Sequence, residues 1–413
     1  MGKMDYLKGK PIAVLGGGAV GKTCAADCKL AGREVRLFDM MPYAETSLRY
    51  IDQTGIELDG IQRNLYNFKR SGTAHLDVVT TNIAEAVKGA GHIVVGVPAF
   101  AHEPFFRQLI PHLEDGQVVS IFTDNYGTLL LRKLMREMKC AKKIIVGGWS
   151  SAPYGTRIVT VGGFQFPHVG VKYRAITLRG ATIPMTDIDD FMEASQSLSC
   201  MDAVTAGNGL DKGNTVLDIG FSNINPVIHV PATLLGVSTM ENWGKIFGDF
   251  DKKGYSMYAH ALCPSICEVQ YKFYGEEIAL AEAIGVDLPR YSYESFFSRR
   301  SILAQEYMGL DKDGKDNMIL PLDEPTTESN TGPSSIHHRY VTEDVPVGCK
   351  IYHELGVQYG VKTPIIDSMI VLAGAMLKKD FFSEGYSLKY LGIDGMGKSE
   401  LLAYLNTGEC PQK

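Results

Sequence analysis

Three glycines spaced Gly16-x-Gly18-x-x-Gly21 sit directly after an apolar run, Pro11–Leu15, and open a helical pattern that continues through Leu30. A strand, a glycine turn and a helix in that order leave few folds open. The first glycine permits the tight turn, the second lets backbone approach a pyrophosphate, and the third packs helix against strand. The helix N-terminus adds N–H groups without intrahelical partners and a partial positive charge. Such spacing alone is common. Here it coincides with a second strand, Glu34–Phe38, closed by Asp39, 18 residues beyond Gly21. That is where an acidic residue accepts hydrogen bonds from an adenosine ribose. A carboxylate there repels a 2′-phosphate, so NAD(H) is expected rather than NADP(H). The expected cofactor contacts are Gly16, Gly18, Ala19, Val20, Gly21 and Asp39. Pro98, after the strand His92–Val97, either passes close to the same cofactor or simply ends the strand.

The rest of the first half alternates short apolar runs with helical patterns, the signature of a parallel α/β sheet of Rossmann type. Strands are expected at Val78–Thr80 and Gln117–Phe122 and near Lys143–Val146, with helices at Ile83–Lys88, Phe105–Leu113 and Thr128–Met138. The β-like runs Ile158–Val161, Val169–Tyr173 and Ala175–Leu178 read as an antiparallel extension of that sheet. A helix over Asp187–Ser195 then closes the domain. The turn-rich stretch Ala206–Asn214 marks the boundary, giving a dinucleotide-binding domain over 1–205 and a mostly α-helical domain over 206–413. Helices there are expected at Pro226–Leu235, Ser265–Ile284, Ser292–Gln305, Val347–Tyr359 and Ile365–Leu377. Asp311–Ser335, polar and rich in Pro, Thr and Asp, reads as a long loop. Two reactants would meet in a cleft between the domains.

Charge and cysteine content exclude other classes. A net charge of −6 argues against a nucleic-acid platform, and an anionic substrate would need individually placed arginines. The first ten residues hold no apolar stretch, and the apolar run Met369–Leu377 is too short to span a membrane. The chain reads as cytosolic. Cys24/Cys28 and Cys263/Cys267 each sit four apart with no second zinc pair, so reduced structural thiols and no metal site are expected.

Reduction of an imine or ketone needs a proton-exchanging group, a partner that tunes it, and a cation for the substrate carboxylate. The second half supplies His229, Asp344 and Arg339. Spacing leaves rivals open. His102, His337 and His338 compete with His229, Glu343 with Asp344, and Asp344 also suits the N-cap of the helix that follows. Asn125, in Asp124-Asn125-Tyr126-Gly127, is either a donor to substrate or carboxamide or part of a simple turn.

Several segments together resemble the opine dehydrogenase family over nearly the whole chain. They are the glycine motif, Gly-Val-Pro-Ala at 96–99, Pro-Tyr-Gly-Thr-Arg at 153–157, Asn-Pro-Val-Ile-His at 225–229 and Arg-Tyr-Val-Thr-Glu-Asp-Val-Pro-Val-Gly at 339–348. The resemblance implies NADH-dependent condensation of pyruvate, or another 2-oxo acid, with an amino acid. It makes His229 the catalytic histidine, Asp344 its partner and Arg339 the residue that engages the oxo-acid carboxylate. It also places Tyr154 on the amino-acid side of the cleft. Monomer and homodimer both remain open. The alternatives are a hydroxy-acid dehydrogenase with a similar His–Asp pair, and a nucleotide sensor without chemistry.

Overall fold

The computed structural model describes residues 2–162, 164–248, 254–297 and 332–411. Among these residues, 2–162, 164–220 and 400–411 form one compact unit, and 221–248, 254–297 and 332–399 a second.

The first unit is built on an eight-stranded sheet. Its strands are β1 (Ile12–Leu15), β2 (Val35–Phe38), β5 (Val78–Thr80), β6 (His92–Val95), β7 (Val118–Ile121), β8 (Ile145–Trp149), β11 (Leu178–Thr182) and β12 (Leu210–Lys212). Their order is β12-β11-β8-β7-β6-β1-β2-β5. All pairings are parallel except β11 against β8. Every residue of β1, β6 and β7 is buried, as a sheet covered on both faces requires. β1 lies between β2 and β6, so the chain leaving it enters the crevice where strand order reverses, the usual ligand position in such sheets.

The structure corrects the expected sheet extension. The runs near 158 and 169 do not join the main sheet. They lie in a hairpin, β9 (Tyr154–Val161) and β10 (Phe164–Arg174), which pairs with β3 (Ile56–Asp59) and β4 (Gly72–Ala74) in a separate four-stranded sheet. Of the three runs, the last alone falls where the main sheet is extended, at β11. The turn-rich stretch near 206 also carries β12, which pairs in parallel with β11, and the first unit continues to Gly220.

Helix α1 (Ala19–Leu30) joins the two sheets. Cys24, Ala25, Ala26 and Cys28 are fully buried along it, and such small side chains let a helix pack closely against two layers. Asp27, on the same helix, is wholly buried and accepts four hydrogen bonds. Arg174 donates to both its oxygens at 2.7 and 3.0 Å, Arg70 at 2.7 Å and the Tyr154 hydroxyl at 2.5 Å.

The second unit is helical: α2 (Asn225–Leu235), Val237–Ile246, α3 (Pro264–Ile284), α4 (Lys350–Tyr359) and α5 (Pro364–Leu377). α2 packs against α3 and α5, with Val227, Val230, Phe273, Leu280, Ile351 and Ile370 among the buried side chains. The helix expected from Val347 begins as a π-helical turn, Val345–Cys349, before continuing as α4. Of the helix expected over Ser292–Gln305, Tyr293–Phe296 is helical. Residues 298–331, including most of the expected loop, lie outside the described residues. Among the described residues no helix is long and apolar enough to cross a membrane.

Candidate active site

In the first unit the glycine turn has the shape its chemistry requires. Gly16 adopts φ +106°, and a Cβ there would lie 2.4 Å from Val97 Cγ1. A Cβ on Gly21 would lie 1.8 Å from the Gly16 carbonyl oxygen, so helix and turn touch as no side chain allows. Gly18, the N-cap of α1, faces open space: a Cβ would meet nothing within 4 Å. A crowded turn with a clear approach at its middle glycine fits a pyrophosphate, with Ala19 and Val20 opening the helix beside it. Pro98 precedes a short 3-10 turn, Ala99–Ala101. Gly96 before it would bring a Cβ to 3.1 Å from Gly21 N, which sets the strand end of β6 against the same turn.

Asp39 is buried beside the turn. Its Oδ2 accepts from Gly17 N at 2.9 Å and Ser47 Oγ at 2.6 Å, and its Oδ1 from Met40 N at 2.8 Å. The sequence reading missed Lys22. Its buried ammonium curls back along α1 to donate to the Gly17 carbonyl at 2.6 Å, and burial lowers its pKa to about 8 against the opposing pull of Asp39. Asp39→Ser is expected to raise the NADPH/NADH ratio of kcat/KM about tenfold, the cost of one charge contact. An unchanged ratio would remove Asp39 from cofactor choice.

Two expected substrate residues also lie in this unit. Asn125 sits half-buried at φ +41° in the turn before the helix Gly127–Glu137. Tyr154 departs from expectation. It is 4% exposed, its hydroxyl is committed to Asp27, and its ring lies 5.2 Å from the Arg174 guanidinium. It holds the small sheet to α1 and has no surface left for a substrate. His102 is fully buried, with its pKa pushed down to about 3 by desolvation, which disqualifies it as an acid at neutral pH. Three residues able to ligate a metal, Glu57, Asp59 and His168, meet on β3 and β10, where His168 Nε2 lies 2.9 Å from Asp59 Oδ2.

In the second unit the structure brings His229 and Asp344 together. His229, on the first turns of α2, is nearly buried, and its Nδ1 lies 2.8 Å from Asp344 Oδ2. Asp344 makes no side-chain cap on the π-helical turn it precedes. The N-cap alternative therefore gives way to the imidazole contact. Gly348 permits this closure: a Cβ there would lie 2.4 Å from Pro226 Cγ, so only a glycine lets the 345–349 segment seat on the start of α2. Tyr340 stacks on the imidazole with centroids 3.6 Å apart at 18°. The Tyr258 hydroxyl meets Nε2 at 2.9 Å.

Burial raises the pKa of Asp344 to about 7, and Arg339 opposes that rise. Arg339 stands in the short helix Arg339–Thr342 and is exposed as a whole residue. Desolvation works against its charge, but Glu343 and Asp344 outweigh it and raise its pKa. His338 is taken up in capping that helix, its Nδ1 accepting from Tyr340 N. His337 is exposed. The arrangement offers an imidazole held by a carboxylate, with a guanidinium near enough to that carboxylate to act on its charge.

Comparison with known proteins gives this geometry a setting. Residues 212–377 match the model of the NAD/NADP octopine/nopaline dehydrogenase α-helical domain. Residues 11–138 match the N-terminus of NAD-dependent glycerol-3-phosphate dehydrogenase. The chain is 26% identical over 404 residues to an opine dehydrogenase of Arthrobacter sp. (strain 1C), covering 94% of this chain and 97% of that one. It is 23% identical over 356 residues to an opine dehydrogenase of Haliotis discus hannai, covering 82% and 79%. Its fold resembles octopine dehydrogenase solved with NADH and L-arginine, at a TM-score of 0.65, 17% identity and 98% and 99% coverage. Yersinopine dehydrogenase with NADP+ gives a TM-score of 0.64 at 16% identity, covering 96% and 98%. With both halves matched in order and an opine dehydrogenase aligned along almost its full length, the chain is similar to the opine dehydrogenases from end to end.

Proposed function

We propose that this oxidoreductase uses NADH to condense a 2-oxo acid, pyruvate foremost, with the amino group of an amino acid, reversibly giving an N-(carboxyalkyl)amino acid. The observation that carries the reading is the buried His229–Asp344 pair with Arg339 five residues before the aspartate. Among fold relatives, octopine dehydrogenase has been solved with NADH and pyruvate and with NADH and L-arginine. Nucleotide work falls to residues 1–205 and substrate work to 206–413.

Arg339 offers the oxo-acid carboxylate two parallel charge-assisted hydrogen bonds, which fix its orientation. His229, its Nδ1–H directed at Asp344, keeps one tautomer, and Nε2 is the atom through which a proton passes to or from the reacting oxygen. Asp344 stabilises the imidazolium. Asn125, from the first unit, is assigned a donor role toward substrate or carboxamide. NADH supplies the hydride when bound, and the glycine turn, Asp39 and Pro98 hold it. Eight free cysteines support a reducing, cytoplasmic location.

Arg339→Ala is expected to raise the KM for pyruvate about 10- to 100-fold, the worth of a lost charge-assisted contact, with the KM for NADH little changed. An unchanged pyruvate KM would contradict the assignment. The function itself is tested by following NADH oxidation with pyruvate alone and then with a panel of amino acids. Oxidation should require the amine. Equal rates with pyruvate alone would identify a hydroxy-acid dehydrogenase instead.

A further inference from the structure

The two nitrogens of His229 face different partners. Nδ1 is tied to Asp344, so any proton passed to or from substrate travels through Nε2. Tyr258 meets that nitrogen, its hydroxyl 2.9 Å away, with the two rings edge-on at 78°. The phenol is half-buried and is presented by a π-helical turn, Met257–Ala261. That turn is fastened by Met257 N donating to the Gly332 carbonyl at 3.0 Å and by Ser256 N donating to His260 Nδ1 at 2.8 Å. Single π-helical turns gather at functional sites. In this unit one carries Tyr258 and the other, Val345–Cys349, is immediately preceded by Asp344, so the residues that meet Nε2 and Nδ1 both stand at such turns. Arg339 lies close enough to Tyr258 for its positive charge to favour an ionised phenol there.

We propose that Tyr258 is a catalytic residue that relays the proton between His229 Nε2 and the oxygen of the reacting substrate. The proposal rests on the condensation reading above. The imidazole cannot swing toward the substrate, because Asp344 holds one edge and Tyr340 covers its face at 3.6 Å. A hydroxyl turning about its own C–O bond moves a proton without moving a ring.

The amine lone pair adds to the ketone carbon to give a carbinolamine. The carbinolamine C–O bond then breaks with its electron pair on oxygen, which takes the Tyr258 proton and leaves as water. The phenolate recovers a proton from imidazolium Nε2–H, and the resulting C=N carbon accepts the hydride of NADH. A phenol ordinarily loses its proton near pH 10. The adjacent imidazolium and guanidinium favour the transient phenolate.

Tyr258→Phe in the full-length enzyme tests this, assayed with NADH, pyruvate and whichever amino acid the unsubstituted enzyme uses best. The relay predicts a kcat lower by about 10- to 100-fold, the lower part of what a positioned acid contributes. The KM values for NADH and pyruvate stay within about twofold, the melting temperature is unchanged, and the alkaline limb of the kcat–pH profile moves. Tyr258→His, which can still carry a proton, recovers part of the rate. A Phe variant with kcat within twofold of normal overturns the relay. So does a loss of rate matched by a fall in melting temperature, with no change in the pH profile. Failure of the condensation reading shows separately, as amine-independent NADH oxidation by the unsubstituted enzyme.

Discussion

Replacing His229 with alanine is expected to lower turnover by about 10²- to 10⁴-fold, the contribution of a positioned general acid. NADH binding, measured by fluorescence titration, should be unaffected, because the residues proposed to hold the cofactor belong to the first unit. The geometry makes the prediction specific. Nδ1 is committed to Asp344 at 2.8 Å and the ring is held under Tyr340, so the side chain is oriented before any substrate arrives. Condensation consumes a proton from Nε2, so its rate should fall as alkali strips the pair, while opine oxidation should rise over the same range. Burial already lifts Asp344 to about 7, so below neutrality the carboxylate itself takes up a proton unless the imidazolium compensates. Turnover within threefold of normal in the alanine variant would remove His229 from the mechanism.

The second large effect is on stability. Asp27→Ala should destabilise the first unit by about 3–5 kcal/mol, the usual cost of breaking a buried ion pair and leaving its partner uncompensated. The partner is Arg174, whose side chain is 1% exposed against 0% for Asp27. Its other contacts are the Gln62 side chain and the faces of Phe68 and Tyr154, none of which is anionic. Chemical denaturation monitored by Trp149 fluorescence measures the loss. Replacing both charges together, Asp27→Leu with Arg174→Met, should cost less than Asp27→Ala alone, because Arg174 is no longer orphaned and Arg70, the other cation on Asp27, keeps Asp202 at 2.8 Å. A loss below about 1 kcal/mol for Asp27→Ala would mean that the cluster contributes little.

Asp27 also shows why the sequence was readable in one place and opaque in another. The glycine turn, Asp39 and the parallel strands are local patterns, each set by residues within one βα unit, and they are where the spacing put them. The four-stranded sheet is not local. Ile56–Asp59 is four residues long and Gly72–Ala74 three, too short for alternation to stand out, and Leu58 pairs with Val169 from far along the chain. Tyr154 was assigned from a resembling segment, but its hydroxyl partner is 127 residues away. Only folding reveals that its polar end is already used.

The proton-handling pair divides the same way. By spacing alone His229 had three rivals and Asp344 had Glu343 and an N-cap role against it, and the family resemblance singled them out. Their separation of 115 positions closes to a hydrogen bond because Gly348 admits Pro226. Tyr258 left no trace in the sequence. It follows no motif, it stands in a π-helical turn that periodicity does not encode, and its importance rests on one oxygen–nitrogen contact. Lys22 was closer to legible, being the residue directly after the third glycine, yet its burial against Gly17 depends on a side chain folded back along the helix.

The most direct test of the whole account follows one atom. Pyruvate and the preferred amino acid are incubated with NADH carrying deuterium in its transferable position, and the products are weighed by mass spectrometry. The expected product is a secondary amine with the combined mass of both substrates less one water plus one deuterium and one hydrogen, the deuterium on the former carbonyl carbon. Deuterium recovered in lactate, with the amino acid unchanged, would contradict it.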